Sequence, residues 1–179
     1  MKSFLFYFAV TGWSLGIIVH SLALTGIDAT SKIPFVWLLH LGIFVVWLPA
    51  VLKMGTNPGA DHNNPITSFK AIFKHTPPWI STIAIGGFYY AIINFVLFLT
   101  SQEGSPDIVD GQYVLRDHGQ VLRSLTREEY QFLLANQVRG FSGHWIAFYG
   151  LAAAVLYPFG GQTDEAPKQV PADPHRQVV

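Results

Sequence analysis

The sequence predicts an all-α membrane protein: a four-helix transmembrane bundle with a small extracytoplasmic β-hairpin-plus-helix loop. Three observations lead there. Charged residues make up only 12% of the 179 residues, whereas 50% are apolar and 15% aromatic. An average soluble domain carries roughly 25% charged residues. The apolar residues gather into four blocks, 3–24, 33–52, 79–99 and 141–159, none of which contains Asp, Glu, Lys or Arg. Each block is close to the ~20 residues that a helix needs to cross ~30 Å of hydrocarbon. Lipid leaves backbone groups no outside partner, so the spans must be helical. The 11 basic and 11 acidic residues cancel, which leaves no basic face for nucleic acid. With no cysteine, disulfides, thiolate metal sites and thiol nucleophiles are excluded.

The spans fall at about 3–25, 33–53, 78–100 and 141–160, within a membrane domain of residues 1–160. No A-x-A-like site follows the first block, so it reads as a span and not as a cleaved signal. The 25–32 loop is short, which makes the first two spans antiparallel neighbours. Beyond the second span, Gly55-Thr56-Asn57-Pro58-Gly59 is turn-forming. Asn64-Pro65 then reads as an N-cap followed by proline at the first helical position. Ile66, Phe69, Ile72 and Phe73 recur at helical spacing, with Lys70 and Lys74 on another face. The pattern predicts an interfacial helix over about 65–75, lying on the bilayer. Pro77-Pro78 ends it and leads into the third span.

Residues 101–140 form the largest aqueous segment. His118-Gly119 reads as a two-residue hairpin turn, with Leu115 opposite Leu122. Thr126-x-x-Glu129 is a capping box that starts a helix. Tyr130, Leu133, Leu134 and Val138 are its apolar stripe, and Gly140 is a candidate hinge before the fourth span. The segment is too small to bury a core of its own, so it must pack on the membrane domain or on a partner. The polar tail, 161–179, reads as disordered. Near the spans, Lys2, Lys53, Lys70, Lys74 and Lys168 lie on one side, and Lys32, Arg127 and Arg139 on the other. The excess places both termini in the cytoplasm, with a bacterial inner membrane as the expected location.

Ionisable and amide side chains inside a membrane are costly, which makes each one a functional hypothesis. Here they are His20, His40, Asn94 and His144, one per span. Counted from the ends facing the 101–140 loop, all four lie about 6–10 Å below one membrane face. Gly12, Gly16 and His20 share a helix face. Gly12-x-x-x-Gly16 lets another backbone or a flat ligand approach beside that histidine.

Four readings of this layer compete. One is a buried polar network. Another is a b-type haem with two axial histidines. His20 and His40 sit on sequential helices that pack at about 8–10 Å, too tight for a macrocycle, so His20 with His144 is the better haem pair. A third is direct copper or zinc binding by the three imidazoles. The last is a proton pathway, since histidine titrates near neutrality. Tyr89, Tyr90, Tyr149 and Tyr157 are further candidates, for a quinone pocket. His62, His75 and His118 are loop histidines, and Glu128 and Glu129 serve helix capping. No hydrolase, metalloprotease, phosphate-loop or dinucleotide motif occurs. The expectation is a small, non-catalytic membrane protein. It would act through interaction, as an accessory or subunit of a membrane complex contacted through loop 101–140.

Overall fold

The computed structural model describes residues 2–57, 59 and 63–159. The expected tail and His62 lie outside the described residues. The elements in order are α1 (Lys2–Leu24), α2 (Ala29–Lys32), α3 (Leu38–Gly55), α4 (Pro65–Phe73), α5 (Pro78–Ser101), β1 (Ser105–Val109), β2 (Gln112–Asp117), β3 (Gln120–Ser124) and α6 (Arg127–Val155). Three of these helices, α1, α3 and α5, are long and apolar enough to cross a membrane.

The second apolar block becomes helical only from Leu38. Pro34 has no N–H to donate and holds Ile33 extended, and Phe35 adopts φ 62°, a conformation bulky residues rarely take. Asp28 instead caps the single turn α2 through the Thr30 amide. The α4 helix begins as its residues dictate. The Asn64 side chain accepts from the Ile66 and Thr67 amides, and Pro65 occupies the first turn. Ile72 and Phe73 pack against the core, while Ile66 and Phe69 are exposed.

The loop after α5 is a three-stranded antiparallel sheet in the order β1-β2-β3, not a single hairpin. The missed strand, β1, is joined to β2 by Asp110-Gly111. Both residues have positive φ, as do His118 and Gly119 in the second turn. Two consecutive positive φ values suit the right-handed twist of a hairpin, and Asp-Gly is a favoured pair for them. The expected Leu115–Leu122 pairing is also corrected. A bulge between Leu115 and Arg116 sets Leu115 opposite Arg123, and Leu122 turns outward. Leu115 packs instead with Leu125 and Leu133, against Tyr113 and Tyr130, so the head has a small core of its own. Asp107–Arg116 and Glu129–Arg123 ion pairs, 2.8 and 2.9 Å, clamp its outer face.

The head helix and the expected fourth span are one continuous helix. Thr126 caps α6 with a complete capping box, and no proline interrupts it before Leu156. Gly140 is not a hinge. A Cβ there would meet the Phe98 ring at 2.7 Å, so the glycine exists to let α5 approach. The same helix is the hub of the fold, packing against α1, α3 and α5. Sixteen of its residues are buried, against four in α3 and three in α5, and many of the sixteen are glycine or alanine. Small residues permit close helix approach. Its final carbonyls are capped from the 53–78 segment: Thr76 donates to the Ala154 oxygen at 2.8 Å, and the Lys53 ammonium to that of Val155. A cation at the negative end of a helix is favourable.

Candidate functional site

The four predicted polar residues meet α6 within a short stretch. His20 bonds Ser142, His40 bonds Trp145, Asn94 bonds the Arg139 carbonyl, and His144 belongs to α6 itself. Residues 139–145 span only about 9 Å of helix, so the four share a level. The three imidazoles do not converge on one point. Ser142 and His144 lie about 200° apart around α6. Among the described residues, no three His, Cys, Asp or Glu side chains converge as a metal ligand group would.

His20 is buried, with both ring nitrogens occupied. Nδ1 lies 2.8 Å from Ser142 Oγ, and Nε2 lies 2.5 Å from the Tyr90 hydroxyl. The Ser142 hydroxyl donates to the Arg139 carbonyl at 3.2 Å. With that proton committed, Ser142 accepts from His20 Nδ1–H, and Tyr90 donates to Nε2. The order Tyr90, His20, Ser142, Arg139 carbonyl is thus a directional chain that closes on the backbone. On the neighbouring face, Asn94 donates to the same carbonyl at 3.0 Å. Gly143 makes room for it, since a Cβ there would meet Asn94 Nδ2 at 2.5 Å.

His40 accepts from the Trp145 indole at 3.2 Å, between the rings of Phe44 and Phe141. That fixes its proton on Nε2. Trp145 itself is fully buried. His144 donates from Nδ1 to the Gly140 carbonyl at 3.0 Å, one turn back, and lies edge-on to Phe95. In the neutral ring Nε2 then carries the lone pair. This is an orientation a metal ligand adopts, but neither other imidazole joins it.

The glycine face of α1 is filled by α6. Tyr149 inserts its ring over Gly12 and donates its hydroxyl to the Leu39 carbonyl at 2.7 Å. A Cβ on Gly42 of α3 would collide with that hydroxyl, so Tyr149 occupies a slot cut from two helices. Gly16 faces Trp145 and Ile146. A macrocycle ligated by His20 would have to break the ring's bond to Tyr90 or Ser142. The residues present therefore do not fit a bis-histidine haem as they are arranged. Of the other tyrosines, Tyr157 packs edge-on with Phe6 and Phe159, and Tyr89 is exposed.

Three partners were not singled out from sequence as site residues: Ser142, Trp145 and Arg139. The Arg139 guanidinium donates to Ser101 Oγ at 3.1 Å, beside Asn136, which bonds Gln102 at 2.6 Å. Arg139 was counted as a loop cation. The absence of any breaker after the capping box was the signal that it belongs to the long helix. No family model, curated protein or solved structure matches this chain.

Proposed function

We propose that this is a four-span integral membrane protein that works without catalysis, as an accessory or subunit of a membrane complex. In this reading α1, α3, α5 and the second half of α6 cross the bilayer. Both termini lie in the cytoplasm of a bacterial cell, and the head faces the other side. The lysine excess beside the 53–78 segment supports that orientation. The unbroken exposure of large apolar side chains along α3 and α5, such as Leu41, Phe44, Leu48, Ile93 and Val96, supports lipid as their solvent.

The observation that carries the interaction reading is β3. All five of its residues are exposed, Val121 and Leu122 at 53% each, and it forms an edge of the sheet. An exposed edge strand is a template for a partner strand. The polar layer supports the non-catalytic half, because the His20 chain ends on its own backbone.

Native electrophoresis of membranes from the source cell tests the reading. The protein should run in a complex larger than itself, and Val121→Pro with Leu122→Asp should release it while leaving its membrane insertion intact. Migration at the size of the free chain in both cases would overturn the proposal. A Soret band in the purified protein would favour a haem-carrying subunit instead. A reporter fused at residue 120 that proves cytoplasmic would invert the orientation.

A further inference from the structure

A cavity of about 300 Å³ lies where the head meets the membrane helices, between the α1–α2 turn, β2 and the first turns of α6. Its polar lining includes Asp28, Ser31, Lys32, Tyr113, Arg127 and Tyr130. Gly26 and Ile27, just past the last residue of α1, form its floor. The cavity therefore opens at the end of an apolar helix, at the depth where a bilayer gives way to water.

Its charges are unsatisfied in a patterned way. Lys32 and Arg127 make no ion pair and no side-chain hydrogen bond among the described residues. Every other arginine of the head and of α6 makes one: Arg116 with Asp107, Arg123 with Glu129, and Arg139 with Ser101. Asp28 is 8% exposed. Its Oδ1 takes both bonds from Thr30, at 2.8 and 2.6 Å, and its Oδ2 accepts none among the described residues. Asp28 lines the cavity, so that oxygen is left for a donor entering it. The Tyr113 and Tyr130 rings lie 4.6 Å apart, tilted by 32°, and together form an aromatic side of the cavity. Burial, with Asp107, Tyr113 and Asp28 nearby, holds the Tyr130 hydroxyl above its ordinary value of 10.0. It stays a neutral donor.

Two free cations, one open carboxylate oxygen and an aromatic wall suit a small zwitterion with separated charges. We propose that this cavity binds a phosphoethanolamine group. The phosphate lies between Lys32 and Arg127, whose guanidinium fork matches its oxygens. The ammonium lies against Asp28 Oδ2 and the tyrosine wall. The group could be the headgroup of a phosphatidylethanolamine or the free ester, and both present this chemistry. Only the lipid source rests on the membrane placement proposed above.

Native mass spectrometry of the delipidated full-length protein in detergent tests it, with phosphatidylethanolamine, phosphatidylglycerol and phosphatidylcholine as probes. The ethanolamine lipid should be retained most. Lys32→Ala with Arg127→Ala, both on exposed side chains, should lower its occupancy about tenfold, the loss of two solvent-exposed charge pairs. Asp28→Asn keeps a competent helix cap and should level phosphatidylethanolamine with phosphatidylglycerol. Displacement of the lipid by free phosphoethanolamine, or binding of the free ester alone, supports the same site and names the soluble source. Equal occupancy by all three lipids in the wild type and the double variant would mean annular lipid and overturn the proposal. So would the absence of any adduct with either probe source. These variants leave β3 untouched, so failure here and failure of the edge-strand reading are separate results.

Discussion

Gly12→Ala is the sharpest probe of the packing that holds the polar layer in place. A methyl at Gly12 would lie 2.5 Å from Tyr149 Cζ and 2.6 Å from Cδ1, and closer still to Cε1. These are atoms of a rigid ring that is 1% exposed and tied at its far end to the Leu39 carbonyl. Gly42 closes the other side of the slot, so the ring has nowhere to move. Overpacking of this kind costs roughly 1–3 kcal/mol. Loss of the Tyr149 hydrogen bond adds about 1 kcal/mol. Alanine in place of glycine within a helix returns about 0.5–1 kcal/mol. The net expectation is a destabilisation of about 1–3 kcal/mol, or roughly 2–12 °C in melting temperature for a chain of this size.

Gly16→Ala is the internal control, one turn away on the same face. Its new methyl would find its nearest neighbours at 3.5–3.9 Å, ordinary contact distances. Only the helix gain remains, so Gly16→Ala should melt with the wild type or above it. Thermal melts of the detergent-solubilised protein, followed by helical circular dichroism, measure both. In a Tyr149→Leu background the cost of Gly12→Ala should fall by about half or more, because the two residues share one contact. Coincident melts for the two alanine variants would refute the slot and, with it, the placement of α6 against α1 and α3.

The remaining expectations concern the polar layer and the head. Tyr90→Phe removes the donor to His20 Nε2, leaves a buried acceptor unpaired and should cost about 1–3 kcal/mol in the same melts. Thr126→Ala removes half of the capping box and should cost about 1 kcal/mol, read as faster amide exchange over residues 127–130. The Arg116 guanidinium beside Asp107 and the Thr126 amide beside Glu129, aided by Arg123, hold both carboxyls below their ordinary values. A depressed carboxyl contributes stability that is present above its unfolded value and lost as pH falls through the folded one. The head should therefore loosen below the ordinary values of 3.8 and 4.5, seen as acid-induced amide exchange in β1–β3. Glu129→Gln should flatten the upper part of that profile.

Much of this architecture is legible in the chain because it is local. Apolar runs of span length, Asn64-Pro65 and Thr126-x-x-Glu129 each act through neighbours a few residues away. The His118-Gly119 turn is local too, and Asp110-Gly111 carries the same signal, which makes β1 recoverable in principle. The bulge that sets Leu115 against Arg123 is not recoverable in this way. It follows from the fit of Leu115 beneath Leu125 and Leu133, residues on other elements. Height along a helix is also a local quantity, since rise per residue is constant. The shared level of His20, His40, Asn94 and His144 follows from counting.

Direction around a helix axis relative to its neighbours is not local. Whether the four polar side chains meet depends on how α1, α3 and α5 are arranged about α6, and that arrangement is decided by side-chain fit. Tyr149 in its two-glycine slot, Phe98 over Gly140 and Asn94 over Gly143 set it. Composition and spacing by themselves determined the apolar helices and the single polar layer across them, because hydrophobic length and helical rise are properties of one segment. Only the tertiary structure decided that the layer divides among separate partners, and that Asp28, Lys32 and Arg127 meet around one cavity beneath the head. Both outcomes depend on contacts between residues up to 122 positions apart.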